Sequence, residues 1–339
     1  MLNSIVATPP KAPQIPTAPP VAQAAAAQAA LPPLQDRTPE QLKDGLVVKV
    51  SGAGSGDLAV ARLIQDGAQY VAQQAGTTMG LGEVTINDAS ADAQGALGLA
   101  TFKGNTGWFG LSKRSTAGLL QGITRLRTTP FDQWKEAERA SFVQANAAVL
   151  HEAGHVTLPA YDSAQVNAWR RADRPFEEGL TEIATMSELP GFLKDEFNVD
   201  IPPLTQRIQE STSAYTRYTE RIERMIEMAT PTGAPAERDA LARRYADNTV
   251  ADKRIQVLAS DIATQLGGPT APKVVADEIA KTIPGFIAEE NGTRTRLMEL
   301  QSALVDHKAA GTPFDEAAFI ARLADVDAQI AAQAKQATA

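Results

Sequence analysis

The chain has 339 residues, 43% hydrophobic, 21% charged and 5% aromatic, with a net charge of −8, no cysteine and 3 histidines. The missing cysteine excludes a disulfide framework, Cys-ligated zinc or iron–sulfur sites, and thiol catalysis. The acidic balance and scarce aromatics argue against a nucleic-acid partner, which needs a basic patch and stacking platforms.

Residues 1–40 hold 9 of the 21 prolines, around an Ala/Gln stretch with little charge. Such a segment buries too little apolar surface to offset its backbone entropy, so a flexible tail is expected there. It lacks the basic start and apolar run of a secretory signal. No stretch reaches the ~20 apolar residues of a membrane helix. A cytoplasmic location, or export by a signal-independent route, is therefore expected.

Leu46-Val47-Val48-Lys49-Val50 reads as a strand running into Ser51-Gly52-Ala53-Gly54-Ser55-Gly56. No Gly-Lys-Ser/Thr follows, so a flexible turn is expected rather than a phosphate loop. Asp57 to Gln74 has helical spacing of Leu58, Ala61, Leu63, Ile64, Ala68 and Val71. Val84-Thr85-Ile86 reads as a short strand. Leu97–Phe102 and Trp108–Ser112, flanking Lys103-Gly104-Asn105-Thr106, read as a β-hairpin.

A long helical pattern opens at Phe131-Asp132 and runs into His151-Glu152-Ala153-Gly154-His155. Residues four apart share one helix face, so His151 and His155 can hold one metal ion. Glu152 flanks them and can accept a proton from a water that the metal activates. A catalytic zinc needs three protein ligands and one open position. Leu158 and Tyr161 stand where one family of such sites requires glycine and a third histidine. Downstream comes Phe176-Glu177-Glu178-Gly179-Leu180-Thr181-Glu182, with 22 residues between His155 and Glu178. One of its carboxylates can bind the metal while another holds a ligand histidine through its second ring nitrogen. The alternative for these glutamates is a solvated acidic helix start.

With these two motifs, residues 80–230 resemble the gluzincin type of zinc metallopeptidase. The resemblance implies that Glu178 is the third ligand and Glu182 its supporting carboxylate. It also implies that the hairpin supplies a substrate-lining edge strand, near Trp108–Ser112. Pro190-Gly191 is expected to end the Glu helix, and Leu204 to start an amphipathic one carrying Tyr215, Tyr218 and Ile222. Tyr218-Thr219-Glu220-Arg221-Ile222 resembles the tyrosine helix of gluzincin-like effector peptidases. Tyr218, and after it Tyr215, are the candidates to stabilise the oxyanion; the alternative is core packing with a hydroxyl partner. Arg170-Arg171-Ala172-Asp173-Arg174 reads as a solvated loop able to steer an acidic substrate segment. His307 reads as a helix-end residue.

Beyond Pro231-Thr232-Gly233-Ala234-Pro235, alanine-rich helical patterns fall at about 236–246, 250–266, 272–283, 286–308 and 315–337. The expected organisation is a tail over 1–40, a zincin-like metallopeptidase domain over 41–230 and an all-helical region over 231–339. The fold class is α+β, mainly helical: a small antiparallel or mixed sheet, an active-site helix and a Glu helix. The expected activity is hydrolysis of a protein or peptide substrate with one zinc ion per chain. Two alternatives stay open: a non-catalytic helical interaction protein with a relic or structural metal site, and a zinc hydrolase acting on a non-peptide bond.

Overall fold

The computed structural model describes residues 32–52, 57–76, 79–103, 106–156, 163–201, 213–230, 234–245 and 253–337. Residues 1–31 of the expected tail, 53–56 of the expected glycine-rich turn and 104–105 of the expected hairpin turn lie outside the described residues. A short 3-10 turn at Leu34–Asp36 leads into α1 (Pro39–Lys43), where Thr38 and Gln41 form a reciprocal capping box. There follow β1 (Lys49–Ser51), α2 (Leu58–Gln74), β2 (Leu81–Ile86), α3 (Ala89–Gln94), β3 (Gly98–Lys103) and β4 (Thr106–Leu111). The rest is helical: α4 (Lys113–Leu126), α5 (Glu136–Val156), α6 (Ser163–Phe197), α7 (Ser213–Ala229), α8 (Pro235–Arg243), α9 (Arg254–Gly267), α10 (Lys273–Ile287), α11 (Thr293–Ala310) and α12 (Glu316–Ala337). The chain is thus mainly helical with one small mixed sheet, the α+β class expected.

The sheet order is β1-β2-β4-β3, with β1, β2 and β4 parallel and β3 antiparallel to β4. Val84, Ile86, Phe109 and Leu111 are buried, and Ala100 and Phe102 pack against the same cluster. Register explains the shared face: Val84 and Ala100 both pair with Phe109, and Ile86 pairs with Leu111. The hairpin forms where the sequence pattern puts it, but the edge assignment is corrected. β4, which carries Trp108–Leu111, is paired on both sides, and of the two hairpin strands it is β3 that lies at an edge. The burial pattern gives the reason: five of the six β4 residues are buried, whereas β3 is mostly half-buried.

Two apolar clusters organise the helices. The first joins the sheet to α2, α4 and α5, and the second joins α7 to α9–α12. Helix α6 belongs to both: Phe176, Leu180 and Ala184 enter the second, and Leu189, Phe192, Leu193 and Phe197 the first. The expected stop at Pro190-Gly191 is therefore absent, and α6 runs through both Pro175 and Pro190. An interior proline costs about 3 kcal/mol. Burying one large apolar side chain contributes about 1.5–3 kcal/mol, and Leu189, Phe192, Leu193 and Phe197 are all buried. In the same way α10 continues through Pro284, with Ile283 and Ile287 buried on either side of it.

Two expected boundaries also shift. Residues from Pro33 onward form one compact unit, and residues before 41 take part in it. Leu34 is buried, and Arg37 donates to Asp66 Oδ2 at 2.7 Å and to Glu196 Oε2 at 2.9 Å. The second cluster draws on residues from Phe176 to Leu323, so residue 230 does not separate two cores. The helix expected from Leu204 is described from Ser213, because 202–212 lie outside the described residues. Among the described residues no helix is long and apolar enough to cross a membrane.

Candidate metal centre

The second half of α5 is buried on nearly all sides, from Ala145 to Val156, because it is wedged between α2, the sheet and α6. Most of its side chains there are small or apolar; buried Asn146 donates to the Phe142 carbonyl within the helix, and the two imidazoles must find partners elsewhere in the fold. They find them on α6. His151 Nε2 lies 3.1 Å from Glu178 Oε2, His155 Nε2 lies 3.3 Å from the same oxygen, and the two Nε2 atoms are 3.2 Å apart. The three donor atoms form a nearly equilateral triangle, and all three residues are buried.

The other ring nitrogens face carboxylates as well. His155 Nδ1–H donates to Glu177 Oε1 at 3.0 Å, and His151 Nδ1 stands 3.2 Å from Glu182 Oε2. A carboxylate accepts a proton, so the hydrogen bond to Glu177 places hydrogen on His155 Nδ1, and Glu182 is close enough to favour hydrogen on His151 Nδ1. Both Nε2 lone pairs then point at each other and at the Glu178 oxygen. Such an arrangement holds together only around positive charge, either a proton or a metal ion. The titration behaviour carries the same message. Burial by itself lowers the pKa of His151, but the contacts with Glu178 and Glu182 outweigh it and raise the pKa well above the usual imidazole value. His155 is raised against burial by Glu177 and Glu178. For Glu178, burial acts upward, and the two imidazoles overcome it and hold the carboxyl far below the usual range. His151, His155 and Glu178 could hold a metal ion.

The remaining Glu178 oxygen is also engaged: Arg174 Nε donates to Oε1 at 3.1 Å, one turn earlier on α6. The arginine cluster at 170–174 is thus part of a helix and not a loop, although the side chains of 170–173 lie outside those described. Arg174 and Glu177 are the site residues that sequence reasoning missed. Arg174 carries a usable signal, its i,i+4 spacing to Glu178. Glu177 carries none, because adjacent helix positions point about 100° apart and only the placement of α5 puts His155 between them.

Glu152 is half-buried next to His151 and interacts with it electrostatically. It faces the start of β3: a Cβ added to Gly98 would stand 2.8 Å from Glu152 Cγ. Glycine is the residue that leaves room there. Gly179 plays the matching part between α6 and α7. A Cβ on it would meet Ile222 Cδ1 at 2.3 Å and the Tyr218 carbonyl carbon at 3.4 Å. The Tyr218 backbone therefore crosses α6 one residue beyond Glu178. Its side chain is half-buried against the second cluster, and the Tyr215 side chain lies outside those described. His307 is remote from this chemistry; its Nε2 is 3.3 Å from the Thr270 carbonyl oxygen and its ring stands edge-on to Phe314. No protein-family model, no curated protein and no solved structure matches this chain, so the reading of the centre rests on its own geometry.

Proposed function

We propose that the chain is a zinc-dependent metallopeptidase of the gluzincin kind, built on a zincin-like core. The observation that carries this reading is the triangle of two Nε2 atoms and one carboxylate oxygen, with edges of 3.1, 3.2 and 3.3 Å. Zinc bound tetrahedrally at about 2.0–2.1 Å spaces its donors about 3.3 Å apart, so the donor set fits it. Two imidazoles and a carboxylate are also the ligand types of a catalytic zinc with one position left open.

His151, His155 and Glu178 would hold the ion, which supplies Lewis acidity toward a water and a scissile carbonyl. Glu177 and Glu182 orient the two rings and keep their protons on Nδ1. Glu152 accepts a proton from the attacking water and returns it to the leaving amine. Tyr218, or Tyr215, donates a hydrogen bond to the oxygen on which charge develops. The β3 strand, at the edge of the sheet and starting against Glu152, supports a protein or peptide substrate that adds its backbone there as a further strand.

The test combines metal analysis with hydrolysis of a peptide panel by the wild type and by Glu152→Gln. We expect one zinc per chain in both proteins, and a loss of roughly 10²–10⁴-fold in hydrolysis by the variant. Unchanged cleavage by Glu152→Gln, or no stoichiometric zinc in the wild type, overturns the reading. Stoichiometric zinc with no cleavage of any peptide would point instead to a structural metal site.

A further inference from the structure

We infer that Arg174 is a positioning residue for the metal centre: it restricts Glu178 to one-oxygen ligation and so reserves the position that a water needs. The inference rests on the metal reading above and concerns a residue outside its ligand set. The two Glu178 oxygens have different partners. Oε2 stands in the triangle with His151 and His155. Oε1 accepts from Arg174 Nε at 3.1 Å.

Carboxylates bind metal ions through one oxygen or two, and the two modes compete. If both Glu178 oxygens bound, the second would occupy the place that a catalytic centre keeps open. A guanidinium is suited to prevent this. It is permanently charged, and its Nε–H lies in a rigid planar fork, so it captures one carboxylate oxygen with a defined direction. It also draws charge from Glu178, which makes Oε2 a weaker donor and leaves the ion more acidic toward water.

A purely structural role does not account for the contact. The Arg174 side chain is 69% exposed while Glu178 is buried; solvent at the guanidinium screens the pair, so it contributes only about 1 kcal/mol to stability. Circular dichroism of each variant checks that the fold is kept.

The experiment uses the full chain as wild type, Arg174→Gln and Arg174→Lys, each loaded with cobalt(II) in place of zinc. Four-coordinate cobalt gives intense visible bands, and expansion to five or six ligands weakens them. We expect intense bands in the wild type and bands several-fold weaker in Arg174→Gln. Chelator competition should show zinc retained by that variant, with peptide hydrolysis down about tenfold, as for other residues that orient a ligand. Arg174→Lys should recover part of both signals, because it restores the charge without the planar fork. A wild-type cobalt spectrum in Arg174→Gln overturns the role of Arg174 while leaving the metal reading in place. A wild-type chain that binds neither zinc nor cobalt overturns the metal reading itself, and the inference with it.

Discussion

Replacing Glu177 tests how far the proposed metal centre depends on a residue outside its ligand set. Its Oε1 accepts from His155 Nδ1 at 3.0 Å, and both side chains are buried. A buried hydrogen bond to a charged group contributes about 1.5–3 kcal/mol. Glu177→Gln keeps the shape and an accepting oxygen but removes the charge, so the imidazole becomes a weaker donor toward the metal. Glu177→Leu removes the acceptor as well and leaves the Nδ1–H facing an apolar group. Carboxylates that support a ligand histidine are typically responsible for about 10–100-fold in metal affinity. We therefore expect zinc affinity to fall about tenfold in Glu177→Gln, which is about 1.4 kcal/mol, and closer to 100-fold in Glu177→Leu. Competition with a chromogenic chelator at fixed pH measures both. Circular dichroism of the metal-free proteins separates affinity from folding. Equal affinity in wild type and Glu177→Leu, with both folded, would refute the reasoning that the His155–Glu177 pair sets donor strength.

Two further outcomes follow from the same geometry. His151 and His155 both have folded-state pKa values raised above 6.5. Their contribution to the stability of the chelated protein is therefore fully present below about pH 6.5 and lost as pH rises through the raised values. Melts of metal-free protein at about pH 6 and about pH 9 should show the lower melting temperature at the higher pH, while zinc affinity rises over the same range. A melting temperature that stays flat or climbs over that interval counts against the paired imidazoles. Gly179→Val should destabilise the protein by about 1–3 kcal/mol through overpacking, because a Cβ there meets Ile222 Cδ1 at 2.3 Å and Ile222 is fully buried. Its urea midpoint should fall, and an unchanged midpoint would show that α6 and α7 do not approach this closely.

Sequence and structure share the description of this centre unevenly. His151 and His155 are readable because the helical period alone puts positions four apart on one face, whatever surrounds the helix, and Glu152 because the motif they frame places it next to His151. Glu178 and Glu182 are readable for the same reason, and the structure brings both to the ring nitrogens of His151. The hairpin is also local, since two strands and a short turn announce themselves within fifteen residues. Helix α4 is announced by no strong pattern, because Gly118, Gly122 and several Ser and Thr residues weaken its propensity. It forms because Ser112 caps it and Leu119 and Ile123 are buried.

The remaining decisions belong to tertiary structure. Pro190 does not stop α6, since Phe192, Leu193 and Phe197, all buried beyond it, outweigh a local cost that reads as a break in isolation. Of the hairpin strands, β3 and not β4 lies at an edge of the sheet, because strand order is a matter of which surfaces get buried. The roles of Glu177 and Arg174 arise only when α5 lies against α6, which turns two ordinary surface-type residues into partners of His155 and Glu178. The sequence by itself determined which residues share a helix face. The packing of one helix on another decided which of them meet, because that depends on burial summed over the whole chain and not on spacing along it.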